Sequence, residues 1–121
     1  MTPDLTALAR ALVALPGWTW APGMLTTAGS RVVGVDGQIL LCWALDDLPF
    51  GAIKLAGTAA LPDLLDLWTG VVLLDRLGPG WTLHRSPTGY TLRMDGPMGY
   101  ACTEAALGIA VARALVARGR A

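Results

Sequence analysis

Apolar residues recur along this chain with two spacings, one typical of helices and one of strands. A leucine stripe over residues 3–15 predicts an amphipathic helix that ends at Pro16-Gly17. Apolar residues around most of the circumference predict a second, largely buried helix over 62–76. A third helix is expected after the N-cap residue Thr103, with an apolar stripe at Leu107, Val111, Ala114 and Leu115.

The strand signals lie between these helices. Asp36-Gly37 separates residues 31–35 from residues 38–45, which is the strongest hairpin signal in the chain. Polar and apolar residues alternate in 81–85 and 90–94, so we expect a second hairpin with one solvated face. Two shorter extended segments are expected, namely a strand at 18–20 and an edge strand within 50–57.

These elements predict an α+β fold in a single domain over residues 1–121. We expect an antiparallel sheet of about five strands with three helices, in the order α-β-β-β-α-β-β-α. The sequence Pro-Gly-Trp-Thr occurs at 16–19 and again at 79–82, each time between a predicted helix and a predicted strand. We interpret it as a helix-to-strand corner, which favours an internal duplication of a helix–corner–hairpin unit. Gly108 lies inside the last helix, where it predicts close helix packing.

The composition is unusually apolar, which bears on the size of the core and on the nature of the surface. Hydrophobic residues make up 54% of the chain and charged residues only 15%, below the roughly 25% of an average domain. Either the core is large, or an apolar surface meets a partner, and a homodimer is the simplest such partner. Residues 1–75 carry three basic and seven acidic side chains and residues 76–121 carry six and two, so the halves have opposite net charge.

No pattern of residues points to an enzyme, a cofactor or a metal. His84 is the only histidine, and the two cysteines, Cys42 and Cys102, form no metal-binding motif. The glycine-rich motifs that hold phosphates do not occur. Prolines and glycines interrupt the uncharged stretch 11–30, so we expect no membrane span, and two lone cysteines favour the cytoplasm.

The candidate interaction surface is therefore chosen by exclusion. We place it at an aromatic anchor near a turn, at an acidic loop and at the arginines of the C-terminal half, namely at Trp20, Met24, Asp46, Asp47, Arg85, Arg93 and Arg113. The other tryptophans are expected in the core. The chain has no net charge, whereas nucleic-acid-binding domains are usually strongly basic, so a nucleic acid is not the expected partner.

Several segments together resemble small phage and prophage proteins of GC-rich bacteria. The first group of segments comprises residues 10–24 (RALVALPGWTWAPGM) and 60–65 (ALPDLL). The second group is similar to short phage α/β sandwich modules and comprises residues 80–83 (GWTL), 89–92 (GYTL) and 105–115 (AALGIAVARAL). The second helix, with Leu-Trp-Thr-Gly at 67–70, departs from that pattern. The resemblance implies a phage accessory protein that binds a host factor, such as a component of a defence system.

Two other hypotheses stay open. The first is a small-ligand-binding module with a tryptophan-lined pocket between the helices and the sheet. The second is an enzyme that uses Cys42 or His84, although an apolar strand environment would raise the pKa of a thiol such as that of Cys42.

Overall fold

The architecture is α+β, as the apolar patterns predict. The structure, a computed structural model, describes residues 3–36, 39–43, 53–57, 60–94 and 99–121. In these residues the helices are α1 (Pro3–Val13), α2 (Leu67–Leu74) and α3 (Leu107–Arg118), and a short 3-10 helix (Asp75–Leu77) extends α2. The strands are β1 (Arg31–Asp36), β2 (Ile39–Trp43), β3 (Ile53–Gly57), β4 (Trp81–Ser86), β5 (Gly89–Met94) and β6 (Tyr100–Glu104).

The described strands form two three-stranded antiparallel sheets, β1-β2-β3 and β4-β5-β6, rather than one sheet. Both predicted hairpins are confirmed, since Asp36 pairs with Ile39 and Ser86 pairs with Gly89. The edge strand expected within 50–57 is β3, on the outside of the first sheet. β2 is the central strand of that sheet.

Three predictions about secondary structure are wrong, namely a strand at 18–20, the N-cap of α3 and the start of α2. Residues 18–20 form no strand, because the Trp18 N–H bonds back to the Leu15 carbonyl and the carbonyl of Thr19 accepts from Arg76. Thr103 does not cap α3, because it belongs to the unexpected strand β6, where its hydroxyl bonds that of Thr91 at 2.9 Å. Helix α2 begins at Leu67 rather than near residue 62.

Helix α3 lies at the centre of the molecule. It packs against α1, α2, β5 and β6, and eight of its residues are buried. Where α2 crosses α3, a Cβ on Gly70 would lie 2.8 Å from the Gly108 nitrogen, and a Cβ on Gly108 would lie 2.3 Å from the Leu64 carbonyl oxygen. This contact confirms that Gly108 serves close packing.

The two halves of the chain repeat one arrangement. In each half a helix is followed by Pro-Gly-Trp-Thr and then by a three-stranded antiparallel sheet, and α3 closes the second half. Gly17 and Gly80 both have positive φ angles, +82° and +93°, which favour glycine at the two corners. Only the second corner leads directly into a strand, β4.

Candidate functional site

The start of α2 is held in place by a polar network. Asp66 is the N-cap of the helix, and its carboxylate accepts from the backbone N–H and the hydroxyl of Thr69, both at 2.9 Å. The Arg31 guanidinium binds the same carboxylate through two nitrogens, at 2.6 and 3.1 Å. The Thr69 hydroxyl in turn accepts from the Leu25 N–H at 2.9 Å. Thus β1 and the loop before it fix the helix.

This network changes the titration of Asp66. Burial raises the pKa of the carboxyl, but the hydrogen bonds from Arg31 and Thr69 together lower it further, so the pKa falls below its ordinary value. Asp66 is therefore ionised at neutral pH and its charge is compensated by Arg31. The segment Leu67–Leu74 that follows contains no charged residue.

The outer side of α2 is apolar and open to solvent. Trp68 is 64% exposed, Leu65 58%, Leu67 56% and Val71 41%. In a helix, residues three and four apart are neighbours, so Val71 lies beside both Leu67 and Trp68, and Leu65 directly precedes the N-cap Asp66. We call these four residues, Leu65, Leu67, Trp68 and Val71, the α2 face.

A shallow depression of about 670 Å³ continues the α2 face toward the end of the helix. It is lined by Val71, Val72, Leu74, Asp75 and Gly78. The helix therefore presents a protruding tryptophan near its beginning and a depression near its end, with Val71 belonging to both.

The expectation that the second helix is largely buried is wrong. Its inner side is made by Thr69, Gly70 and Leu73, which are buried, while the larger side chains of Leu67 and Trp68 point away from α3. The small residues Gly70 and Gly108 bring the two helices together on one side only. An apolar pattern around the whole helix does not indicate which side is covered, so the sequence did not distinguish a buried helix from one with an exposed apolar side.

The described residues that were predicted for an interaction surface do not form one surface. Trp20 is 8% exposed and Met24 is fully buried, so both belong to the core and not to a surface. Trp20 contacts Trp18 edge to face, with ring centroids 5.8 Å apart, as expected for a core tryptophan. Asp46 and Asp47 lie outside the described residues.

The three arginines are exposed but separate. Arg85 lies over the ring of Tyr90, with 6.0 Å between its Cζ and the ring centroid. Arg93 pairs with Thr82 and lies on the opposite face of the sheet from Arg85. Arg113 forms an ion pair with Glu104, with 2.7 Å between Nε and Oε1. They form no single basic patch.

A second cavity, of about 280 Å³, lies between α3 and the sheet β4-β5-β6. It is lined by Trp81, Met94, Gly99, Tyr100, Ala114, Ala117 and Arg118. The rings of Trp81 and Tyr100 meet edge to face, with centroids 5.7 Å apart. The Arg118 guanidinium donates to the carbonyls of Leu77 and Arg76, both at 3.1 Å, and to that of Arg120 at 3.4 Å, so each of its three nitrogens makes a hydrogen bond.

The side chains considered for catalysis are not arranged as a reactive site. Cys42 is fully buried in β2, whereas His84 is exposed in β4 of the other sheet. Burial raises the pKa of the Cys102 thiol, and burial also raises the pKa of Tyr100 to about 12. Among the described residues, no three His, Cys, Asp or Glu side chains are grouped as metal ligands would be.

Comparison with known proteins gives no relative for this chain. No family model, no curated protein and no solved structure matches it. The resemblance to phage accessory proteins therefore stays a prediction. Within the described residues, no helix has the length and apolar character that a membrane crossing requires.

Proposed function

We propose that the protein acts by protein–protein contact through the α2 face and that it catalyses no reaction. The observation that supports this most is the 64% exposure of Trp68, which stands among three other exposed apolar side chains. Together they form a patch on the order of 400 Å², as large as the functional patches of many monomeric proteins. Tryptophan is also enriched among the residues that contribute most to protein–protein binding.

The chemistry of the α2 face favours a protein surface over a charged ligand. The segment Leu67–Leu74 is uncharged, the carboxylate of Asp66 before it is compensated by Arg31, and the carboxylate of Asp75 after it belongs to the lining of the depression. A partner attracted mainly by charge would find little to bind, whereas a complementary apolar surface would be buried with the tryptophan at its centre.

The resemblance of the sequence supports a role for this contact. We propose a phage or prophage accessory protein that works in the cytoplasm of a bacterial host. Its partners in this proposal are a second copy of the chain and a host protein, such as a component of a defence system. The α2 face replaces Trp20 and Met24 as the surface that meets them, because those two side chains are buried.

A small-ligand module is the alternative, and it would use the cavity beside Trp81. Its volume of about 280 Å³ is small, since ligand pockets commonly measure roughly 300–1,000 Å³. The guanidinium of Arg118 is held by three backbone carbonyls, which leaves it poorly placed to orient a ligand. The α2 face is therefore the better supported site.

The test compares two valines of equal exposure. Val71 on the α2 face is 41% exposed and Val35 on β1 is 42% exposed. The substitutions Val71→Glu and Val35→Glu therefore add the same charge at two positions with nearly the same exposure to solvent. We expect the wild-type chain and Val35→Glu to capture the same protein from a bacterial host lysate, and Val71→Glu to lose at least about nine-tenths of it. Quantitative mass spectrometry measures the captured protein. Equal capture by all three chains would contradict the proposal.

A further inference from the structure

The α2 face carries both halves of a self-complementary contact. Trp68 protrudes near the start of α2, and the depression beside Leu74 lies six residues further along the same helix. At 1.5 Å per residue these features are about 9 Å apart, with Val71 midway between them. A two-fold axis through Val71 would therefore bring the Trp68 of each copy onto the depression of the other.

From this geometry we propose that the α2 face is covered by a second copy of the chain, with two antiparallel α2 helices related by a two-fold axis at Val71. The inference rests on the proposed function and names its partner. Each copy contributes the same patch, as a two-fold interface requires.

The area and the charge of the α2 face are both compatible with a second copy of the chain as its partner. Two patches on the order of 400 Å², together with the linings of the two depressions, approach the roughly 1,000 Å² that a specific interface needs. The uncharged stretch Leu67–Leu74 would face its own copy without bringing like charges together at the axis. Asp75 lines the depression and, four residues after Val71, would lie opposite Leu67 of the other copy rather than opposite another carboxylate.

The two-fold arrangement predicts a short distance between the two copies of Val71, which other modes of binding do not predict. A residue on the axis lies opposite itself, so the two Cα atoms at position 71 would be about 5 Å apart for helices in ordinary contact, within disulfide reach. Leu67 is also exposed on α2, but in this arrangement its two copies would lie about 12 Å apart along the helix axis, beyond that reach.

The experiment compares Val71→Cys with Leu67→Cys under mild oxidation by diamide, which accepts the two electrons and two protons that the thiols release. The wild-type chain, with its own Cys42 and Cys102, gives the background. We expect a disulfide-linked dimer from Val71→Cys, at least about five-fold above that of Leu67→Cys and of the wild type. Thermal melts of the reduced variants check that both are folded.

Equal cross-linking of the two variants would overturn the two-fold arrangement, and so would none in either. If Val71→Cys gives no dimer while Val71→Glu abolishes capture of a host protein, the inference fails and the proposed function stands. If there is no dimer and no capture that depends on Val71, both fail.

Discussion

At the residue scale, two glycines decide how α2 meets α3. Gly70 and Gly108 let the helix backbones touch, and no larger residue fits at Gly108 without displacing the Leu64 carbonyl. The sequence indicated this role for Gly108, since a glycine inside a helix costs roughly 1 kcal/mol and needs a packing reason. Its partner, Gly70, was not identified, because the contact joins residues far apart in the chain.

The Gly108→Ala variant tests this contact. We expect it to lower the free energy of unfolding by about 1–3 kcal/mol, because overpacking outweighs the better helix propensity of alanine. Urea denaturation measures the change. Gly34→Ala in β1 is the control, since its Cβ would meet only the Leu41 side chain, at 3.4 Å. A more stable Gly108→Ala variant would show that the helices are not in close contact.

The exposure of individual tryptophans was beyond the reach of sequence reasoning. Trp18 and Trp81 lie against the core as expected, and Trp20, which was predicted as a surface anchor, is buried as well, whereas Trp68 is mostly exposed. All four occur in apolar surroundings in the sequence. What separates Trp68 is the side of α2 that α3 covers, and only the tertiary packing determines that side.

At the element scale, the cap of α2 is the best-anchored feature of the site. Asp66 caps the positive end of this helix, and Arg31, 35 residues away, adds a bidentate contact. Pro62 was expected to open the helix, but it is buried and pairs with Thr26 instead. The helix therefore begins later than local signals suggest, because a long-range bridge competes for its first turn.

The Asp66→Ala variant tests the cap and its titration. We expect the free energy of unfolding to fall by about 2 kcal/mol at neutral pH, because the cap and the Arg31 contact are both lost. The pKa of Asp66 is lowered in the folded chain. Its contribution is therefore present above the ordinary aspartate pKa of about 3.9 and disappears as the pH falls through the lower folded value.

The measurement is urea denaturation of wild type and variant between neutral pH and about pH 3, and the difference should shrink only below about pH 4. Asp63→Ala is the control, since this carboxylate bonds only the nearby Leu65 N–H in an exposed turn. We expect a smaller loss for Asp63→Ala. A pH-independent difference for Asp66→Ala would show that the carboxylate charge does not stabilise the cap.

At the scale of the whole molecule, the local sequence patterns were sufficient to predict the α+β class but not the arrangement of the strands into two sheets. Three helices, two hairpins and the repeated corner follow from residue spacing, and the α+β class follows from them. The division into two three-stranded sheets does not follow from residue spacing, because the short sequence of β6 does not predict that it pairs with β5. Likewise, the low charge content was compatible with either a large core or an apolar surface, and it did not indicate where such a surface would lie.

The central claim is that the α2 face is a contact surface whose first partner is a second copy. Sedimentation equilibrium over a range of concentrations tests it most directly, with wild type, Val71→Glu and Val35→Glu compared side by side. We predict that wild type and Val35→Glu shift from the mass of one chain toward that of two as concentration rises. Val71→Glu should need at least about ten-fold more protein for the same shift. A wild-type chain that stays monomeric throughout, or equal association of all three, would contradict the claim.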